Sequence, residues 1–281
     1  MKLRGDQLKT FRKNKGLSQK QLAQGICTQA TISLIEKNNK VPGMTILAQL
    51  CARLGISLAQ ILVDENQVLT DVFTTIDRLI LQKQYDAATD QLNNIGIKQL
   101  QSRYDKQRYY YFLGMLQLEQ NKDYDEALFN FELVLQQFPV ADDDIYQIMT
   151  TIAVGTAWFY KDDSNQAKKF ANQASELLQV NVSINDARQL IASYVSLAQL
   201  YQLFDDTGTT LELVNHALEL CRHNETLFLL DEVYLKLANC YFAMGQVETA
   251  KANWQIAASV ATINEHTDLA EQIKQQLLKL N

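Results

Sequence analysis

Between Thr28 and Lys37 the chain carries a run of short neutral side chains, Gln29, Ala30, Thr31 and Ser33, closed by Lys37. In a helix, Ile32 and Ile35 form the inward pair and leave these residues facing out. The chemistry open to such a face is the reading of base edges. Gln bonds adenine bidentately, Ala and the Thr methyl touch a thymine methyl, and a Ser hydroxyl both donates and accepts. A merely solvated helix of this length would carry more Glu and Lys. Ten residues before Gln29, Gln19 opens another short helix, where a side chain and the helix N-terminus can both meet phosphate.

Those two helices need a frame, and the first 65 residues supply one. Leu3, Leu8 and Phe11 mark one face of a first helix that stops at Lys15-Gly16. Ser18 caps a second, Gln19 to Gln24, with Gln21 placed to close a capping box and Leu22 and Ala23 inward. Gly25-Ile26-Cys27 makes a turn, and Thr28 caps a third helix through Lys37. After Val41-Pro42-Gly43 a fourth helix runs from Met44 to Leu54 and ends at Gly55 in a left-handed cap. Ser57 starts a short fifth helix with Leu58, Ile61 and Leu62 inward.

Charge divides the chain the same way. Residues 1–65 hold ten basic and four acidic side chains, a net +6, whereas the rest holds 16 basic and 28 acidic, a net −12. A basic end attracts a phosphate backbone that an acidic body repels. Charge by itself also fits a solubilising patch. The types on the third helix favour nucleic acid.

The stretch from Phe11 to Leu62 closely resembles the Cro/C1-type (Xre) helix-turn-helix. The features that carry the likeness are the LSQ cap, LA in the second helix, IxxIE closing the third, the Pro42-to-Leu47 spacer and the LGIS turn. The resemblance implies a DNA-binding domain over residues 1–65. Gln19 would brace a phosphate, and Thr28, Gln29, Ala30, Thr31 and Ser33, with Lys37, would face operator DNA. Leu34 departs from the polar residue often found at its position.

From residue 66 onward the sequence becomes acidic, aromatic-rich and helical in pattern. One junction recurs: QYDAA, DYDEAL, DSNQAK, DTGTTL and GQVETA. Its small residues, Ala88, Ala127, Ala167, Thr210 and Ala250, are spaced by 39, 40, 43 and 40. Nine residues before each stands a bulky one (Leu79, Leu118, Trp158, Tyr201, Tyr241). Twelve before, the last three positions are small: Gly155, Ala198 and Ala238. Small and large residues at fixed offsets are the pattern of helix hairpins stacking on their neighbours. The pattern resembles tetratricopeptide repeats with lengthened helices, closed by a last helix from Glu265 to Leu280. The fold class read from the sequence is therefore all-α: a five-helix N-terminal domain, then a right-handed helical-repeat solenoid over residues 66–281.

In such a solenoid the first helix of each hairpin lines the concave side. Thr156, Gln199 and Asn239 occupy equivalent places there, with Phe159 and Phe242 beside them. An extended peptide needs both kinds of group, amides for its backbone and apolar pockets for its side chains. Ordinary inter-helix core is the competing reading of the same residues.

The two halves together, in about 280 residues, resemble the PlcR and Rgg group of Gram-positive regulators, cytoplasmic receptors for short signalling peptides. The resemblance implies a homodimer, two half-sites in double-stranded operator DNA, and a peptide that changes the dimer's geometry. Asparagines hold the peptide in that group, yet Thr156 and Val195 stand in that region here, and Asn239 is the only asparagine among the groove positions. The alternative is a ligand-independent Xre-type repressor that uses its repeats only for dimerisation or protein partners.

Other functions find little to stand on. His216, His223 and His266 sit beside no nucleophile or metal motif, so neither an enzyme nor a cofactor is expected. Asp142-Asp143-Asp144 follows Phe138-Pro139 and reads as helix-cap acids rather than a metal site. Cys27, Cys51, Cys221 and Cys240 lack metal-ligand spacing and read as reduced thiols, as in a cytoplasm. No signal core or membrane-spanning segment is evident.

Overall fold

The computed structural model describes residues 2–58, 61–63, 65–139, 145–180 and 187–279. The Asp142-Asp143-Asp144 reading lies outside the described residues. The chain divides into two compact units, Met1–Leu79 and Ile80–Asn281.

In the first unit, α1 (Gly5–Asn14), α2 (Gln19–Ala23), α3 (Gln29–Asn38) and α4 (Met44–Leu54) enclose one apolar core. Leu3, Leu8, Leu22, Ile32, Ile35, Leu47, Leu50 and Ile61 fill it. The caps fall where the sequence puts them. Ser18 and Gln21 form a reciprocal capping box, Thr28 Oγ1 accepts the Thr31 amide, and Gly55 ends α4 at φ 73°. Two readings are corrected. Leu3 belongs not to the first helix but to a strand, β1 (Lys2–Leu3), which pairs antiparallel with β2 (Leu62–Val63). Leu62 therefore lies in β2 rather than in a fifth helix. Pairing the chain's first residues satisfies backbone groups that a frayed terminus would leave to water. Next comes α5 (Glu65–Leu81).

Gly5 allows α1 to touch α3. A Cβ there would lie 1.9 Å from the Ile35 carbonyl oxygen. The Gly5 amide donates to Asn39 Oδ1 at 2.9 Å, while Asn39 itself ends α3 in the left-handed conformation.

The second unit is a series of helix hairpins. It contains α6 (Tyr85–Asn93), α7 (Arg103–Leu116), α8 (Tyr124–Glu132), α9 (Ile145–Tyr160), α10 (Ser164–Val180), α11 (Ala187–Leu203), α12 (Thr207–His223), α13 (Leu230–Ala243) and α14 (Val247–Ile263). The last helix, α15 (Thr267–Leu278), is shorter than its expected span. Sequential helices pack as pairs, and α9 also packs on α7 and α11. Ala88, Ala127, Ala167, Thr210 and Ala250 are all fully buried, as a repeat anchor requires. Gly155 is one of the close approaches. A Cβ on it would sit 2.8 Å from Leu200 Cδ2 and 3.3 Å from the Ala167 carbonyl.

Buried Asp231, at the start of α13, is held by His266 Nδ1 at 2.5 Å and Asn264 Nδ2 at 3.3 Å, which ties α13 to the α14–α15 turn. All four cysteines are free. Burial pushes Cys221 up to about 11, so it is an inert thiol at neutral pH. Among the described residues no cluster of His, Cys, Asp and Glu could hold a metal ion. Likewise, no helix is long and apolar enough to cross a membrane.

Candidate functional site

In the first unit a buried ion pair supports the outward face of α3. Arg12 Nε and Nη2 donate to the two oxygens of Glu36 at 2.6 and 2.9 Å, and Nη1 donates to the Leu17 carbonyl at 2.7 Å. The Glu36 side chain is 2% exposed. Burial alone would raise its pKa, but hydrogen bonds from Arg12 and Gln19, with the charges of Arg12 and Lys9, outweigh burial and hold it below the usual carboxylate range.

From this anchor a chain of amides runs outward. Gln19 Nε2 donates to Glu36 Oε2 at 3.0 Å, and Gln29 Nε2 donates to Gln19 Oε1 at 3.0 Å. Three helices thus fix the direction of one exposed side chain, Gln29. The C-terminal carbonyls of α2 are held from α4, since Arg53 Nη1 donates to the carbonyls of Leu22, at 3.0 Å, and Gln24.

The other expected contact residues divide by exposure. Ala30 and Lys37 are exposed with Gln29, while Thr31 and Ser33 are half-buried. Thr28 is exposed, but its hydroxyl accepts the Thr31 amide and lies 2.9 Å from the Thr31 hydroxyl. Leu34 is 42% exposed, an apolar contact surface on the same helix.

Arg12, Glu36, Arg53 and Asn39 did not emerge from the sequence as functional. A signal existed for two of them. Arg12 lies four residues after Leu8, and Glu36 four after Ile32, so both charges fall on core-facing stripes. Charges there need each other.

A sequence profile of the helix-turn-helix family matches residues 8–61. The N-terminal unit contains a helix-turn-helix domain. Its α2–turn–α3 segment is the part that holds the Gln19–Gln29 relay. No curated protein matches the chain, but solved structures do. PlcR of Bacillus thuringiensis, in complex with the peptide PapR7 and DNA, is similar at 19% identity and a TM-score of 0.59, covering 96% of this chain and 98% of its own. ComR of S. thermophilus, in complex with DNA and its signalling peptide ComS, is similar at 14% identity and a TM-score of 0.52, covering 98% of both chains. A thermophilic TPR protein of Thermus thermophilus is similar at 19% identity and a TM-score of 0.53, covering 75% of this chain and 99% of its own. The likeness is one of fold: it runs over nearly the whole chain for PlcR and ComR, and over about three quarters of it for the TPR protein.

Within the repeats, the expected groove residues have unequal surroundings. Gln199 is exposed on α11 and accepts a hydrogen bond from Lys236 of α13. Asn239 is half-buried, and its Oδ1 accepts the indole N–H of buried Trp254 at 3.1 Å. Phe242, 44% exposed, lies against the same indole with ring centroids 5.4 Å apart. Phe159 packs edge-on against Phe204 at 5.7 Å. The Thr156 hydroxyl donates to its own helix, to the Ile152 carbonyl at 3.1 Å. The structure therefore joins Asn239 and Phe242 through Trp254, and Gln199 to Lys236. Lys236 was not singled out in the sequence, although it falls on the inward stripe between Val233 and Cys240.

Proposed function

We propose that this chain is a sequence-specific DNA-binding transcriptional regulator, controlled through its repeats by a short intracellular signalling peptide. The observation that carries the reading is Gln29: an exposed amide on the outward face of α3, aimed by Gln19, in a segment of net charge +6. An amide held in one direction presents a donor and an acceptor together, as bidentate contact with adenine requires. Gln19, at the first turn of α2, is the proposed phosphate contact, and Thr28, Ala30, Thr31, Ser33 and Lys37 complete the proposed contact face.

Residues 1–65 act as the reader and residues 66–281 as the ligand-binding and dimerisation region of a cytoplasmic homodimer. The similar folds of PlcR and ComR, each solved with DNA and a peptide, support assigning both partners to one chain. Thr156, Phe159, Gln199, Asn239 and Phe242 are the proposed peptide contacts. The test is selection of random duplex DNA by the full-length protein, followed by anisotropy titration of the enriched sequence at fixed salt, with and without short peptides. A shared motif bound by the wild type and lost with Gln29→Ala is the expected result. Enrichment of no motif would end the reading.

A further inference from the structure

Lys236 is a buried cation without a carboxylate. It is 4% exposed on the inward stripe of α13. Its ammonium donates to Gln199 Oε1 on α11, and none of the ion pairs among the described residues includes it. Glu232, one turn back on the same helix, acts on it only at longer range. Burial pushes the ammonium's pKa down, Glu232 and Cys240 pull it up, and Lys83 in the turn before α6 pushes it down further. Burial, rather than the surrounding charges, is thus what disfavours the ammonium, and no carboxylate among the described residues bonds it directly. A buried ammonium is costly to fold, and a neutral amide oxygen offsets only part of that cost.

A route to it exists. The Gln199 side chain that accepts its hydrogen bond belongs to an exposed residue. An ammonium has three donors and Gln199 uses one, so an incoming carboxylate finds charge-assisted bonds ready. Rotation of the Gln199 amide would add an N–H donor to the same anion. Asn239, three residues along α13, lies on the adjoining part of this face.

We infer that Lys236 and Gln199 form a carboxylate-binding point in the ligand groove, so that the peptide is anionic where it meets them. This rests on the peptide reading above. The anion is either an Asp or Glu side chain or the peptide's own C-terminus, and the two give different results below.

The test captures random-sequence short peptides on immobilised full-length protein, with the pool made once with free C-termini and once amidated. Wild type should enrich peptides with an acidic residue at a fixed place, or else lose enrichment on amidation. Those peptides should bind Lys236→Met at least tenfold more weakly. The Met variant removes a buried charge at similar volume, so its melting temperature without peptide should be unchanged or higher. Enrichment that ignores both acidic residues and amidation, which is read on wild type alone, overturns the inference and leaves the peptide reading standing. Enrichment of nothing overturns both. Equal binding by Lys236→Met, or a peptide-free melting temperature several degrees lower, would make Lys236 a structural tie between α11 and α13.

Discussion

The Gln29 amide donates to Gln19 Oε1 at 3.0 Å, so the residue proposed to read a base is aimed by the residue proposed to touch phosphate. This coupling changes what the two substitutions should do. Gln29→Ala removes the proposed base contact, worth about 1–3 kcal/mol per half-site, and should relax specificity with little change in stability. Gln19→Ala should weaken binding to every sequence and also blunt discrimination, because Gln29 loses its support. Anisotropy titrations on operator and scrambled duplexes at one salt concentration measure both. A Gln19→Ala protein with full discrimination would show that Gln29 orients itself.

The Arg12–Glu36 pair should act on stability and on recognition. Removing Arg12 alone leaves a buried carboxylate uncompensated, so Arg12→Ala should cost about 3–5 kcal/mol. Arg12→Met with Glu36→Leu should recover much of that in urea denaturation. The double variant should still bind operator poorly, since Gln19 has lost its acceptor on Glu36.

Acid should unfold the first unit through the same carboxylate. The folded pKa of Glu36 is depressed. Its contribution is therefore complete above the unfolded carboxylate value, about 4.3, and is lost as pH falls through the lower folded value. Urea midpoints from pH 6 to pH 3, followed by a probe in the first unit, should fall more steeply in wild type than in Glu36→Gln. Parallel curves would place the acid sensitivity in another group.

How much of this was legible depended on range. Features set by neighbours in sequence were readable: the Ser18 capping box, the Gly55 cap, and the anchors from Ala88 to Ala250 that are buried as their spacing implies. Features set by distant partners were not. The short ladder that takes Leu3 and Leu62 out of helices joins residues almost sixty positions apart. Arg12 and Glu36 meet across 24 residues, and Lys236 meets Gln199 across 37. Arg12, Glu36 and Lys236 are each a charge on a core-facing stripe, a pattern that signals the need for a partner without naming it.

Gly155 offers a test of the repeat packing. It stands twelve residues before an anchor, where Ala198 and Ala238 are also small, and an added Cβ would press on Leu200 and the Ala167 carbonyl. Gly155→Ala should destabilise by about 1–3 kcal/mol, since a tightly packed site admits an extra carbon only by shifting its neighbours. The gain in helix propensity, about 1 kcal/mol, works against this and sets the smaller end of the range. A thermal melt higher than wild type would mean that Leu200 yields freely.

Asn239 carries two roles that a pair of substitutions can separate. Its Oδ1 accepts the N–H of Trp254, a fully buried indole on the next helix. Asn239→Ala therefore strands a buried donor and should cost about 1–3 kcal/mol without any ligand present. In a Trp254→Phe background there is no N–H to strand, so the same substitution should cost clearly less. The difference between the two costs is the coupling energy of the pair. Ligand binding is read in the same series: if the remaining amide N–H of Asn239 holds a peptide carbonyl, Asn239→Ala should weaken peptide binding about tenfold even in the Phe background. Loss of stability with no loss of affinity in that background would make Asn239 purely a helix-pairing residue. The peptide's polar contacts would then fall to Gln199 and Lys236.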